Sequence, residues 1–357
     1  MKAADQVFVG IPGKELDSAS AALLAEHQPG GLILFRRNIE SAEQLNDLVT
    51  DIRRVLPDAV LSIDAEGGRV DRLRDVVGPA PAAAVLARHP ASFALQAGTW
   101  IAQSLRLFDL DVSFAPVVDL NRGEEDNALD GRYLGVSPGD VIPRARAFLR
   151  GLHAGGAGGC IKHFPGLGGA PADTHFKVAT VLLPVEVLRA DLDPFDILGR
   201  LAGAVMVGHA MYPAYDAQHR PASLSPPIIG GLLRGRLGFD GLVFSDDMEM
   251  KALDEWGDLP ERCESAFAAG CDVLLLCHTL EALPDVIARL ENPGFEERRR
   301  EAFQRLDRYR QRLRTLRSAR DYIRLMREGT RGERLEHIRR AMETMSQQEE
   351  ARRSPGT

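Results

Sequence analysis

The chain contains 357 residues, of which 45% are hydrophobic and 27% are charged, and this composition excludes a wholly disordered protein. A formal net charge of -7 argues against a nucleic-acid-binding protein, because such proteins usually present a basic surface. No apolar run approaches the roughly 18 residues that a membrane-spanning helix needs, so we expect no membrane partner.

The amino terminus and the cysteines bear on the compartment. The first residues, MKAADQVFVG, lack the apolar stretch and the cleavage site of a secretion signal. The four cysteines, at positions 160, 263, 271 and 277, do not follow the spacing of a zinc site and are expected to be free thiols. We therefore expect a cytoplasmic protein.

Eight short apolar runs, rich in β-branched residues, alternate along the chain with stretches that carry apolar residues at helical spacing. One such stretch follows Ser41, a residue type favoured at the start of a helix. Apolar strands that alternate with helices predict a parallel sheet buried on both faces, and eight such units predict a single-domain α/β fold, a (β/α)8 TIM-type barrel over residues 1–295. An open, doubly wound sheet is the alternative. The runs are 6–11, 30–35, 59–66, 111–120, 158–164, 203–212, 241–247 and 271–278.

From about residue 296 the chain is rich in arginine and glutamate, with large apolar residues at helical spacing. We expect C-terminal amphipathic helices over residues 296–345, packed on the barrel or extending from it, and a disordered tail over 346–357. A basic helix can bind nucleic acid or a membrane surface. Because acidic residues are interleaved with the arginines here, a solvated face held by ion pairs is favoured, and no nucleic-acid partner is expected. The sequence does not indicate the oligomeric state.

Ionisable residues stand at the carboxyl ends of most of the eight runs. In a (β/α)8 barrel these ends meet at one mouth, where active sites lie. The sequence has no HExxH helix, no GxSxG turn and no Cys/His cluster, so metal-dependent hydrolysis and serine acyl transfer lack their usual residues. The remaining carboxylates, histidines and arginines suit cleavage at an acetal carbon, and we expect no metal and no cofactor. The residues are Asp64, Glu66, Asp119, Lys162, His163, His209, Asp246, Asp247 and His278.

Two segments offer candidates for the chemical steps. Asp173 and His175 lie two residues apart in the stretch KHFPGLGGAPADTH, and a carboxylate beside an imidazole can form a general acid/base. The alternative for this pair is an exposed turn. Asp246 and Asp247 end a strong strand in GLVFSDD, where one carboxylate can act as a nucleophile and the other can cap the following helix.

Two further places offer groups that can bind a sugar. In the stretch SIDAEGGRVDRL, Asp64 can accept hydrogen bonds from sugar hydroxyls and Arg72 can anchor an oxygen-rich ligand. A turn held by structural ion pairs is the alternative for this stretch. Lys162 also stands out, because arginine greatly outnumbers lysine in this chain and general charge usage does not explain a lysine at a strand end.

These segments occur in a recognisable order: GGLILFRRNI, SIDAEGGRVDRL, FAPVVDLN, KHFPGLGGAPADTH, VMVGHAMYP, ASLSP, LRGRLGFDGLVFSDDMEMKAL and AGCDVLLLCH. In that order they resemble the family 3 glycoside hydrolases, and among them the single-domain bacterial β-N-acetylglucosaminidases of cell-wall recycling. The resemblance extends from about residue 6 to about residue 280 and is specific, because several motifs occur together.

The resemblance implies a retaining double displacement in which Asp246 is the nucleophile and His175, beside Asp173, is the general acid/base. It implies a small-molecule substrate, a terminal β-linked N-acetylglucosamine on muropeptide-derived disaccharides, and hence a part in peptidoglycan recycling. It also implies sugar-binding or pocket-lining roles for Asp64, Arg72, Arg132, Lys162, His163 and His209.

Two positions depart from the pattern of the family. Leu167 stands where the family usually has histidine, and Tyr-Leu-Gly follows Arg132 where the family typically has Ser-Phe-Gly. A leucine side chain cannot hydrogen-bond, so loop closure or specificity can differ. A β-glycosidase of other specificity, a phosphorylase that uses phosphate as acceptor, and a non-catalytic sugar-binding protein are the alternative functions.

Overall fold

The computed structural model describes residues 2–123, 129–170, 179–318 and 330–353, with side chains to residue 348 in the last range. Its centre is a ring of eight parallel strands. The strands are β1 Val7–Val9, β2 Gly31–Leu34, β3 Val60–Ile63, β4 Val112–Ser113, β5 Gly158–Gly159 and Ile161–Phe164, β6 Ala204–Val207, β7 Leu242–Asp247, and β8 Val273–Leu276.

Strand β5 closes the ring, because its two halves pair with different neighbours. Gly158 is in register with Val112 of β4, and Ile161 is in register with Val205 of β6. On the opposite side β8 pairs with β1, with Leu274 beside Val7. The strands therefore form a closed barrel, which confirms the predicted (β/α)8 fold and excludes the open sheet.

Helices surround the barrel and connect successive strands. At helix α2 the Ser41 hydroxyl accepts a hydrogen bond from the Gln44 amide at 3.1 Å, which confirms the predicted start of that helix. The surrounding helices are α1 Ser18–His27, α2 Ala42–Val55, α3 Ala91–Leu107, α4 Pro138–Ala154, α5 Val185–Ala202, α6 Pro227–Arg236 (a π-helix), α7 Leu259–Ala269 and α8 Leu283–Leu290. Short 3-10 turns occur at Ala3–Gln6, Arg36–Asn38, Ala222–Leu224, Lys251–Trp256, Leu280–Ala282 and Pro293–Phe295.

A hairpin and two short helices lie between β3 and α3, at the mouth of the barrel. A two-stranded antiparallel hairpin pairs Ala65–Gly67 with Val70–Asp71 directly after β3. Gly67 and Gly68 at its turn have φ angles of 93° and 63°, a left-handed region that favours glycine. The short helices Arg74–Val77 and Ala83–Leu86 follow it.

Helix α9, Glu296–Arg317, closes the amino-terminal end of the barrel. The Tyr309 ring lies edge-on to Phe244 inside the barrel, and its hydroxyl donates to the Gly159 carbonyl at 3.1 Å. A β-carbon at Gly158 would stand 2.5 Å from the Leu313 side chain, so the Gly-Gly-Cys run of β5 leaves the room that α9 needs. The amphipathic face predicted for this segment therefore completes the core of the barrel.

Arginines on the other faces of α9 pair with carboxylates of the barrel. Asp272 accepts from Arg298 at 2.9 Å and from Arg305 at 3.2 Å, and Arg234 of α6 binds its other oxygen at 2.6 Å. Asp272 is fully buried, so three guanidinium groups compensate one desolvated carboxylate. The positive charges of α9 are therefore largely paired with carboxylates of the same molecule.

Helix α10, Arg331–Arg353, packs on the side of the barrel. It runs beyond residue 345, where the sequence predicts the helical segment to end, because residues 346–353 are mostly Gln, Glu, Ala and Arg, which propagate helices well. In the described part of the chain, no helix combines the length and the apolarity that crossing a membrane requires.

His153, in the last turn of α4, makes stability dependent on pH. Burial and the nearby charge of Arg312 lower the pKa of His153 to about 4. Below about pH 6.5 the unfolded chain takes up this proton and the folded chain does not, so the free energy of unfolding falls between pH 6.5 and 4. We expect the melting temperature of His153→Phe to fall less over this range than that of the wild type. Parallel curves for the two proteins would contradict this assignment.

Candidate active site

A pocket of about 410 Å3 opens at the carboxyl-terminal mouth of the barrel. It brings together eight of the sequence-predicted residues, from the ends of strands β3, β5, β7 and β8 and from the loops between β3 and α4. Its lining combines ionisable and apolar side chains. The ionisable residues are Asp64, Arg69, Arg72, Arg132, Lys162, His163, Asp246, Asp247 and His278, and the apolar ones are Ile33, Phe35, Val70, Phe114, Leu167, Met206, Met250, Leu275 and Cys277.

Glu66 organises the cations of the pocket. Its carboxylate accepts two hydrogen bonds from the Arg132 guanidinium, at 2.8 and 2.7 Å, and pairs with the Lys162 ammonium at 2.7 Å. Lys162 also donates to Asp64 at 2.9 Å. Burial opposes ionisation of Glu66, but the charges of Arg132 and Lys162 outweigh it and hold the pKa of Glu66 well below its ordinary value. The cluster is therefore charged at neutral pH, with its geometry fixed before any ligand binds.

The hairpin reverses the direction of the chain and so brings Arg72 next to Asp64. The Arg72 amide donates to the Asp64 carbonyl at 3.0 Å, and its Nη2 lies 3.5 Å from the Asp64 carboxylate. The Nε of Arg72 is buried and has no hydrogen-bond partner among the described residues. A guanidinium held in this way can bind an oxygen-rich ligand.

Asp119 fixes His163 in the wall of the pocket. The Asp119 carboxylate accepts from the His163 amide, from its Nδ1 at 2.8 Å, and from the Leu167 amide at 2.6 Å. A carboxylate only accepts hydrogen bonds, so Nδ1 of His163 carries a proton. Asp119 stands at the end of a predicted strand, but the sequence does not reveal which side chain it holds.

Asp246 lies at the end of β7 at the inner wall of the pocket. Its carboxylate accepts from the Asp247 amide at 2.8 Å. Burial opposes ionisation, but interactions with His209, His163, the Asp247 amide and Lys162 lower the pKa of Asp246 below its ordinary value. Asp246 is thus an ionised carboxylate at a partly buried position, where it can act as a nucleophile toward carbon.

His209 is buried beneath Asp246 rather than exposed in the pocket. Its Nε2 lies 2.9 Å from the Asp247 carbonyl, and its Nδ1 lies 2.7 Å from the Ser223 hydroxyl. The carbonyl can only accept, so Nε2 carries the proton, and burial lowers the pKa of His209 and favours this neutral form. The ring holds the peptide group between Asp247 and Met248, one residue beyond Asp246.

The predicted acid/base pair, Asp173 and His175, lies outside the described residues. The segment that leads to it is described as far as Ala170. The Gly166 carbonyl accepts from the Tyr212 hydroxyl at 2.9 Å, and a β-carbon at Gly168 would lie only 1.8 Å from the Leu120 carbonyl oxygen. Leu167, the departure from the family pattern, is buried and contributes an apolar surface to the pocket.

A rim of the pocket joins β2, β7 and β8. The His278 ring lies parallel to Phe35, with 5.8 Å between ring centroids. Its Nδ1 is 3.2 Å from the Arg37 guanidinium, and its Nε2 is 3.4 Å from the Asp247 carboxylate. The hydrogen bond with Asp247 is the main reason that the pKa of His278 is raised. His278 could be recognised in the sequence as a candidate because it follows an apolar run. Its partners could not, because they come from distant segments.

The site has the components of a glycoside-cleaving barrel enzyme: a partly buried, ionised carboxylate beside a fixed set of hydrogen-bonding charges at the carboxyl end of the strands. The model of the Glycosyl hydrolase family 3 N terminal domain matches residues 5–308. A β-hexosaminidase of Pseudomonas aeruginosa is 38% identical over 288 residues, which cover 80% of this chain and 86% of the relative. The chain belongs to glycosyl hydrolase family 3, which confirms the resemblance noted in its sequence.

Solved structures agree with this membership. NagZ from Neisseria gonorrhoeae, in complex with N-trifluoroacetyl-D-glucosamine, has a TM-score of 0.78 and 28% identity, and the match covers 94% of this chain and 97% of that one. A fungal multi-domain GH3 β-N-acetylglucosaminidase has a TM-score of 0.87 and 25% identity, with 96% of this chain and 42% of that chain covered. The chain thus spans nearly all of the first structure and less than half of the second.

Proposed function

We propose that the protein is a retaining β-N-acetylhexosaminidase that releases terminal β-linked N-acetylglucosamine. The observation that carries the proposal is Asp246, a partly buried and ionised carboxylate that lines the same pocket as the Asp64–Lys162–Glu66–Arg132 cluster. The names of the relatives, β-hexosaminidase and β-N-acetylglucosaminidase, support the N-acetylated substrate.

The reaction proceeds in two displacements. An Asp246 oxygen attacks the anomeric carbon while the bond to the leaving oxygen breaks, and His175 gives its proton to that oxygen. The result is a glycosyl ester of Asp246 and a neutral His175. His175 then removes a proton from water, the water oxygen attacks the anomeric carbon, and Asp246 leaves as a carboxylate. Asp173 orients the imidazole and stabilises its charged form.

The lining of the pocket suits two parts of this sugar. Asp64 and Lys162 offer an acceptor and a donor for ring hydroxyls, and Arg72, which also lines the pocket, adds a further donor. The apolar lining residues, among them Phe35 and Met250, suit the methyl group of an acetamido substituent. The presence of both kinds of residue favours an N-acetylated sugar over the corresponding glucoside.

We place this activity in the recycling of peptidoglycan in the cytoplasm, on disaccharides that carry N-acetylglucosamine at their non-reducing end. The motifs shared with the cell-wall recycling enzymes support this role. The physiological substrate is then a small molecule.

The test is to incubate the purified protein with 4-nitrophenyl N-acetyl-β-glucosaminide and with the matching β-glucoside, with and without phosphate. We expect preferential cleavage of the first, with free β-configured sugar as the initial product in either buffer. Sugar 1-phosphate would instead identify a phosphorylase. Binding without turnover of either compound would identify a sugar-binding protein. The buried Leu167 would then be the first position to replace, with the histidine that is usual in the family.

The acid/base assignment predicts a dependence on the leaving group. A leaving group of low pKa needs no proton, so His175→Ala should lose little of the first displacement on 4-nitrophenyl substrates and much more on alkyl glycosides or disaccharides. Values of kcat/KM for the wild type and His175→Ala on a series of aryl and alkyl N-acetylglucosaminides measure this dependence on the leaving group. Equal losses across the series would exclude His175 as the acid.

A further inference from the structure

Helix α10 lies beyond the residues that match the family and covers a loop of the pocket. Its inward face carries apolar residues at helical spacing, and these belong to the same core cluster as Val76 and Val77. On the adjacent face His337 meets Trp100 of α3, with 5.2 Å between ring centroids. The buried residues of α10 are Leu335, Ile338, Met342 and Met345.

One arginine of α10 is bonded to the short helix Arg74–Val77. The Nε and Nη2 atoms of Arg339 both donate to the Val76 carbonyl, at 2.9 and 2.8 Å. Val76 lies in the last turn of that helix, where carbonyl groups lack partners within the helix. Met342 packs beside the residue that ends it, with its Cβ 3.7 Å from the place that a β-carbon of Gly78 would take.

The short helix is rigidly joined to Arg72 of the pocket. The Asp71 carboxylate accepts from the Leu73 amide at 3.2 Å and from the Ala80 amide at 3.1 Å, so one side chain ties together the two ends of the segment. Arg72 lies between the two residues tied at the amino-terminal end. A helix of four residues is too short to be stable by itself, so its position depends on what packs against it.

We propose that α10 is a positioning element of the active site, in which Arg339 holds the segment 71–80 and thereby keeps Arg72 over Asp64. Arg339 contacts no substrate and acts through Arg72. The inference deepens the proposed function, on which it rests, because it assigns the sugar affinity of the pocket partly to a helix outside the family match.

The experiment compares Arg339→Ala with Arg340→Ala. Arg340 is the neighbouring residue, is exposed, and pairs only with Glu336 one turn earlier in the part of the chain that is described, so it controls for loss of an arginine on this helix. On 4-nitrophenyl N-acetyl-β-glucosaminide, Arg339→Ala should raise KM roughly threefold to tenfold with kcat little changed, because a charged hydrogen bond to the loop is lost. Arg339→Lys retains a donor and should recover part of the effect. Arg340→Ala should match the wild type.

A double-mutant cycle decides whether the effect passes through Arg72. In the Arg72→Ala background, Arg339→Ala should raise KM by less than twofold, roughly, because the group that it positions is gone. The same fold-change in both backgrounds would overturn the proposal, as would equal effects of Arg339→Ala and Arg340→Ala.

Hydrogen–deuterium exchange gives a readout that does not need turnover. Peptides that span residues 71–80 should exchange faster in Arg339→Ala than in Arg340→Ala, while strand peptides remain unchanged. Unchanged exchange in residues 71–80 would overturn the positioning role even in an active enzyme. Faster exchange in a protein that cleaves no N-acetylglucosaminide would refute the proposed function and leave the structural link intact.

Discussion

Asp246→Ala is expected to lower kcat/KM by about four to six orders of magnitude, because it removes the carboxylate that forms the glycosyl ester. Desolvation opposes the charge of the partly buried Asp246, yet its neighbours keep it ionised, so the carboxylate is available to attack at neutral pH. The measurement is the rate of 4-nitrophenol release together with a circular dichroism spectrum, which establishes that the variant is folded.

Sodium azide sharpens this test. In Asp246→Ala, azide has room to attack the anomeric carbon directly, and it should restore turnover with an α-configured glycosyl azide as product. The matched control is Asp247→Asn, which keeps the size of the side chain and an acceptor for the Glu249 amide. We expect this control to retain activity within about tenfold and to show no rescue. In a further variant, Asp247→Ala, loss of turnover that azide restores, with no rescue of Asp246→Ala, would instead transfer the nucleophile role to Asp247.

Glu66→Ala is expected to lower the free energy of unfolding by about 3–5 kcal/mol, because it removes the carboxylate that pairs with two buried cations, Arg132 and Lys162. All three side chains are less than 10% exposed, so water cannot replace the lost carboxylate. Urea denaturation followed by circular dichroism measures the change, provided that the slope with denaturant stays constant.

Glu40→Ala is the matched control for this prediction. Glu40 also pairs with a lysine, Lys14, at 2.8 Å, but both side chains are at least half exposed. Such a pair contributes about 0–1 kcal/mol, so its loss should scarcely move the denaturation midpoint. If the two variants were destabilised equally, the buried network would not carry the energy assigned to it. Glu66→Ala should also lose activity, because Lys162 would no longer be held between Asp64 and Glu66.

The barrel was predictable because its strands are buried on both faces and read as continuous apolar runs. The same runs place their final residues at one mouth, which is why Asp64, Lys162, His163 and Asp246 could be grouped from sequence. Alternation along β7 predicts that Asp246 and Asp247 point to opposite faces. A register irregularity between Phe244 and Asp247 breaks that alternation, and both residues line the pocket.

Other features were not predictable, since they depend on partners distant in sequence. Glu66 and Asp119 are visible as strand-end carboxylates, but only the fold shows that one holds two cations and the other holds His163. An amphipathic stripe such as that of α9 predicts a buried face without identifying what covers it. The end of the barrel that α9 closes is therefore known from the structure alone.

The position of α9 has a consequence for the order in which the protein is made. The aromatic interior around Phe8 and Phe244 belongs to strands that are synthesised early or midway, whereas Tyr309 and Leu313, which close it, are among the later residues of the chain. While the ribosome is still adding residues before α9, the barrel has an open, apolar base. A nascent chain at this stage exposes surface that promotes aggregation, and completion of α9 ends that vulnerable period.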